Sequence, residues 1–188
     1  PMGLEIERAE GIYLYGKDGK RYMDLISGIA VSSLGHGHPA IKKAIQEQLD
    51  RYTFIMVYGE FVQEVQVALA KKLSSVLPKR LETVYFVNSG TEANEAALKL
   101  AKRWTGRSEL ISCARSYHGS THGSLSVSGN EGKKQAFRPL LPDVRFIRFN
   151  EPADLAQITE KTACVIIEPI QGDAGVRIPS PDYLKKLC

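Results

Sequence analysis

Asn88-Ser89-Gly90-Thr91 separates a β-branched, aromatic run from a helical repeat, and the chemistry such a junction offers is anion binding. Thr83 to Val87 reads as a buried strand. From Glu92 a helical period takes over, with Ala93, Ala97, Leu100, Ala101 and Trp104 on one face and Lys99, Lys102 and Arg103 on the others. Ser89 and Glu92 have capping-box spacing, so the helix is expected to start at Ser89 or Gly90. Backbone N–H groups would then point outward at the positive end of the helix dipole, where a phosphate fits. An ordinary capped turn carries the same local pattern, so the neighbouring loops must decide between the two.

Tyr117-His118 follows the strand-like Glu109 to Cys113. An aromatic side chain at a sheet rim can stack on a planar heterocycle, or simply cover the sheet edge. Glu168 and Asp173 flank Pro169 and Gly172, so both carboxylates could face one cleft and bind a cationic ring or amine. A helix cap and a solvated charge would leave the same trace. His36 and His38 sit in a Gly-Pro turn with no carboxylate or cysteine nearby in sequence, which favours hydrogen-bonded imidazoles over a metal pair. His118 and His122 have i,i+4 spacing, but Gly119 and Gly123 argue against the helix a metal pair would need. No metal site is expected. Phosphate-loop, nucleophile-elbow and metalloprotease signatures are absent.

The 188 residues suit one domain or slightly more, and 43% apolar with 24% charged is ordinary for a soluble protein. Twenty-five basic against 21 acidic residues leave a small surplus spread along the chain, so neither nucleic acid nor a membrane surface is suggested. Cys113, Cys164 and Cys188 are widely spaced and odd in number, which favours a reducing cytoplasm over a disulfide framework. The longest apolar runs are too short to span a bilayer. Both ends read as cut: Pro1 leads quickly into strand-like sequence, and a helical pattern has just begun at Leu184-Lys-Lys-Leu-Cys188.

The elements that must position these residues follow from periodicity. Gly11 to Tyr15 and Arg21 to Asp24 read as a hairpin around Gly16-Lys-Asp-Gly19. Pro39 opens a helix with Ile41, Ala44, Ile45, Leu49 and Tyr52 on one face. Val62, Val65, Leu69, Leu73 and Val76 mark a second, with Pro78 past its end. Gly106 closes the central helix; Glu109–Cys113, Val144–Phe149 and Ala163–Ile167 read as strands, and Pro152–Glu160 as a short helix. The alternation implies an α/β fold with a parallel sheet covered on both faces. Ligands of such sheets bind beyond the carboxyl ends of the strands, so Asn88–Thr91, Tyr117–His118 and Glu168–Asp173 should converge at one rim.

Five segments in order carry a resemblance: Asp24-Leu-Ile-Ser-Gly-Ile-Ala-Val31, Leu34-Gly-His-Gly-His-Pro39, Phe86-Val-Asn-Ser-Gly-Thr-Glu-Ala-Asn-Glu95, Tyr117-His-Gly119 and Ile167-Glu-Pro-Ile-Gln-Gly172. Together the chain resembles the N-terminal half of a class III pyridoxal-phosphate aminotransferase, a family that includes acetylornithine, ornithine and 4-aminobutyrate aminotransferases. The resemblance implies a fold-type-I enzyme. Residues 1–52 would supply a small-domain hairpin and first helix, and residues 53–188 the N-terminal part of the large cofactor domain.

It further implies that Ser89, Gly90 and Thr91 hold the phosphate of pyridoxal 5'-phosphate. Tyr117 would stack on its ring with His118 beside it, Glu168 would lie near the cofactor, and Ile29 would line the substrate pocket. Asp173 matches a position where many relatives carry a glutamate that holds a mobile arginine. The implied partners are an ω-amino acid or amine and a 2-oxo acid such as 2-oxoglutarate, in a homodimer. The Schiff-base lysine of the family is expected beyond Cys188, so no catalytic residue is assigned in this segment. Ser120 stands where an arginine typically follows the His-Gly and grips a substrate carboxylate, and a hydroxyl offers no bidentate charged clamp. That departure keeps two alternatives open: a glutamate-1-semialdehyde aminomutase-like enzyme, or a catalytically incomplete binding or dimerisation fragment.

Overall fold

Short antiparallel strands open the chain in the computed structural model, which describes residues 3–56 and 59–187. The strands β1 (Ile6–Glu10), β2 (Tyr13–Gly16) and β3 (Arg21–Met23) pair in that order. The β2–β3 turn closes where the Gly19 N–H donates to the Gly16 carbonyl at 3.0 Å, as the Asp-Gly signal predicts. The strand β1 lies in the strand-like sequence that follows Pro1.

After β3 the backbone does something that the sequence did not announce. Ser27, Gly28, Ile29 and Ala30 all have positive φ, from 52° to 62°, making α1 (Ser27–Ala30) a single left-handed turn. Three of these residues carry a Cβ, for which this region is costly. Asp24 holds the turn: one carboxylate oxygen accepts from the Ser27 N–H at 2.8 Å and the Ile26 N–H at 3.1 Å. The other lies 2.7 Å from His36 Nε2. The Ser27 N–H and then His36 hold the Asp24 carboxyl below its ordinary value. The carboxylate missing near His36 in sequence is thus supplied by the fold.

The helices α2 (Pro39–Arg51) and α3 (Glu64–Val76) follow, with Pro39 at the first position as expected. Two compact units result, residues 1–76 and 77–188. The helix α3 therefore groups with the N-terminal unit, whereas the sequence reading divides the chain at 52/53.

In the second unit α4 (Gly90–Thr105), β4 (Glu109–Cys113), α5 (His122–Val127), α6 (Glu131–Lys134), β5 (Val144–Ile147), β6 (Thr162–Ile166) and α7 (Tyr183–Leu187) build one parallel sheet with helices on both sides. Strand order is β5-β4-β6, with β4 central. Alternation along β4 sends Ile111 and Cys113 to one face, against Ile147, Phe149 and Tyr183. Leu110 goes to the other, against Leu98 of α4 and Val127 of α5. Burying a side chain such as Leu110 fully contributes roughly 1.5–3 kcal/mol.

Three expectations need correction. Thr83 to Val87 is not a strand; among the described residues nothing pairs with it, and Tyr85 and Phe86 are exposed. Propensity alone makes no strand without a neighbour to complete its hydrogen bonds. The apolar stripe on α4 is also misplaced: Leu100 and Trp104 are 65% and 87% exposed, while Leu98 is buried. The buried side of α4 starts with Thr91, Asn94 and Glu95, whose polar groups are engaged by the loop before α5. Pro152–Glu160, expected as a short helix, is a 3-10 segment over Pro152–Gln157.

Candidate active site

The central helix begins as its sequence dictates. Ser89 is extended, and its hydroxyl accepts from the Glu92 N–H at 3.3 Å. Glu92 reaches back to accept from the Asn88 N–H at 2.7 Å, one residue earlier than the usual box. At the other end Gly106 adopts φ 69°, the left-handed cap that glycine takes without Cβ cost. No acceptor among the described residues takes the Gly90 and Thr91 N–H groups, which open on a concavity lined by Ser89, Gly90, Thr91, Asn94, Tyr117, His118, Gly119 and Ser120. A Cβ at Gly90 would meet no atom within 4 Å. The cradle is therefore polar, shaped by backbone and kept open by the missing side chain, and it fits a phosphate.

Three loops meet there. Glu168, just past β6, accepts from the Tyr117 N–H at 3.1 Å and so fixes the aromatic residue. Asn94 donates to the His118 carbonyl at 2.6 Å. Thr91 Oγ1 lies 2.7 Å from Thr121 Oγ1. Gln171 Nε2 donates to the Ala114 carbonyl at 3.0 Å, tying the third loop down. The loop that carries Tyr117 is thus pinned from the segment after β6 and from α4.

Glu95 was not picked out by sequence. Its carboxylate accepts from Thr121 Oγ1 at 2.6 Å, the Gly123 N–H at 2.8 Å and the Ser124 N–H at 3.1 Å, capping α5. Burial opposes the charge, but these three donors win and lower its pKa. The signal was available, since Thr91 and Glu95 are one helical turn apart and face the same side.

His118 takes a different position from its tyrosine neighbour. The side chain is 7% exposed, with Nε2 3.2 Å from Ser112 Oγ, on the α4 side of β4. Burial pushes its imidazole down to about 4 from an ordinary 6.5, so the ring is neutral at pH 7. An unfolded chain binds a proton in that interval and the native state does not, so stability is full above 6.5 and falls as pH drops toward 4. Wild-type protein is expected to lose more denaturant resistance between about pH 7 and about pH 5 than a His118→Asn variant. Equal losses in the two proteins would contradict the neutral assignment.

The structure brings Ser89, Gly90, Thr91, Tyr117, His118 and Glu168 together in one unit. Ile29 lies in the other unit, on the left-handed turn, and is 85% exposed. Asp173 is engaged by a residue that the sequence reading passed over: Lys133 Nζ donates to both of its carboxylate oxygens, at 2.9 and 2.7 Å. Among the described residues no cluster of three or more metal-ligating side chains forms, and no helix is long and apolar enough to cross a membrane.

An α/β unit with a parallel sheet, an open helix N-terminus at its rim and an aromatic residue beside it is an arrangement suited to a ligand that carries a phosphate. The sequence pattern of the family Aminotransferase class-III matches residues 1–188, and the chain belongs to that family. It is 44% identical to the acetylornithine aminotransferase of Streptomyces coelicolor, over 97% of this chain and 44% of that protein. A transaminase structure from the marine bacterium Virgibacillus superposes with a TM-score of 0.92 at 28% identity, covering 98% of this chain and 46% of that one. The taurine:2-oxoglutarate aminotransferase of Bifidobacterium kashiwanohense, solved with PLP and glutamate, gives 0.88 at 31% identity over 98% and 47%. The architecture is that of fold type I. The family and the PLP-bound neighbour indicate pyridoxal phosphate as the cofactor. The chain spans about half the length of the curated relatives it matches.

Proposed function

We propose that this chain is the phosphate- and ring-binding part of a transaminase. The reaction moves an amino group between an ω-amino acid or amine, of the acetylornithine, ornithine or 4-aminobutyrate kind, and a 2-oxo acid such as 2-oxoglutarate. The observation that carries the reading is the pair of unengaged N–H groups at Gly90 and Thr91, facing the same concavity as Tyr117. Bound there, pyridoxal phosphate would supply an electron sink for the carbon that bears the amine.

The residues present bind and orient. Gly90, Thr91 and the Ser89 hydroxyl would donate to the phosphate, a charge-assisted arrangement worth more than neutral hydrogen bonds. Tyr117, its backbone held by Glu168, would cover a ring face. His118, neutral and turned to Ser112, fixes the loop from beneath. The enzyme would act as a cytoplasmic homodimer, with the Schiff-base lysine supplied from sequence after this segment.

Ser120 favours a second reading, an aminomutase-like enzyme whose substrate needs no arginine at that position. The test is to mix the full-length holoprotein with ω-amino acids, simple amines and glutamate 1-semialdehyde and to follow the visible absorbance of the bound cofactor. Bleaching by an ω-amino acid and recovery with 2-oxoglutarate are expected. Bleaching by the semialdehyde alone selects the aminomutase. Full-length protein that takes up no cofactor would leave only a binding or dimerisation role.

A further inference from the structure

A second cavity lies on the other side of Tyr117. It measures about 430 Å³ and is lined by Tyr117, Ser120, His122, Leu125, Lys133 and Phe137. Tyr117 and Ser120 also line the phosphate concavity, so the two spaces share a wall. Its cation is Lys133, whose Nζ stands 5.0 Å from the Tyr117 ring centroid. Lys133 has three donors, of which Asp173 takes two.

We propose that Lys133 is the docking point for the carboxylate of the substrate, with Asp173 holding the ammonium ready and the Ser120 hydroxyl near enough to contribute. The inference rests on the transaminase reading and names the residue that would hold the carboxylate of its ω-amino acid or 2-oxo acid. The geometry points this way for three reasons. The cavity has an apolar floor, Leu125 and Phe137, suited to a methylene chain. Its cation sits on a short helix anchored by a second contact, where Lys134 of the same helix is buried and donates to the Ser128 carbonyl at 3.0 Å. Ser120, 3.5 Å from the Tyr117 hydroxyl, places a neutral donor between the cation and the phosphate concavity. A lone ammonium can bind a carboxylate as a point charge without the paired geometry of a guanidinium. Asp173 competes for that charge, so it sets the affinity rather than providing it.

The test uses the full-length holoprotein and glutarate, an unreactive dicarboxylate, titrated by calorimetry. Lys133→Gln is expected to weaken glutarate by about tenfold or more, the loss of one charge-assisted contact. Asp173→Asn is expected to tighten it by about threefold by freeing the ammonium. Both side chains are roughly two-fifths exposed, and such a pair adds little to stability, so both variants should fold; thermal midpoints within a few degrees of wild type confirm it. As a kinetic readout, Lys133→Gln should raise the KM for 6-aminohexanoate and leave hexylamine unchanged. Glutarate affinity within twofold of wild type in Lys133→Gln, or equal KM changes for the two amines, would overturn the proposal. Protein that binds no cofactor would overturn the transaminase reading instead, and the glutarate titration would still report on Lys133.

Discussion

Gly119→Val is expected to unfold the site and take much of the second unit with it. The residue has φ +131°, a region that side chains rarely adopt. A Cβ there would sit 2.5 Å from Thr91 Cβ and 3.0 Å from Ser124 Cβ. Neither neighbour is free to give way. Thr91 is held to Thr121 at 2.7 Å, and Ser124 Oγ donates to the Thr91 carbonyl at 3.0 Å. Backbone strain of about 1–3 kcal/mol and overpacking of a similar size add, against a total stability of about 5–15 kcal/mol for a domain. The thermal midpoint should fall by roughly 5–20 °C. Gly172→Ala is the control, because a Cβ there meets nothing within 4 Å, and its effect should lie within about 0.5 kcal/mol. Equal midpoints for the two variants would show that the close approach of the loop to α4 is wrong.

The second large effect separates binding from folding. Gly90→Val should leave the fold intact, since its Cβ enters open space and valine suits a helix better than glycine. The branched side chain would occupy the concavity that the phosphate needs, cutting off two backbone donors. Charge-assisted hydrogen bonds contribute about 1.5–3 kcal/mol each, so losing two should lower pyridoxal phosphate affinity by about a hundredfold or more. Equilibrium dialysis of the cofactor against wild-type and variant apoproteins checks this, alongside the thermal midpoints of those apo forms. Unchanged affinity would remove the helix terminus as the phosphate site.

The two glycines show what was legible beforehand and what was not. Gly90 could be singled out from its place between a strand-like run and a helical repeat. Gly119 could not, because nothing local says that Thr91 of α4 and Ser124 of α5 will press on it. The same contrast holds for the acidic residues. Glu168 and Asp173 are conspicuous in sequence, and Glu168 does reach Tyr117. Glu95 looks like one more charged position on a helix surface, yet it caps α5 with three bonds. Periodicity also failed on α4, where the stripe with the larger apolar residues faces outward and the buried side begins with polar residues. A helix turns the face that its partners engage, and those partners were hydroxyls and amides more than aliphatic groups.

Sequence by itself determined the elements whose cause is local. Ser89 and Glu92 start the central helix, Gly106 ends it, and the Asp-Gly turn closes the hairpin. These depend on backbone sterics and on hydrogen bonds a few residues long. Only the tertiary structure decided which residues meet: His36 with Asp24, His118 with Ser112, and Lys133 with Asp173 across 40 positions. Those contacts are fixed by how strands and helices stack, a matter of long-range packing for which charge and residue type give no address along the chain.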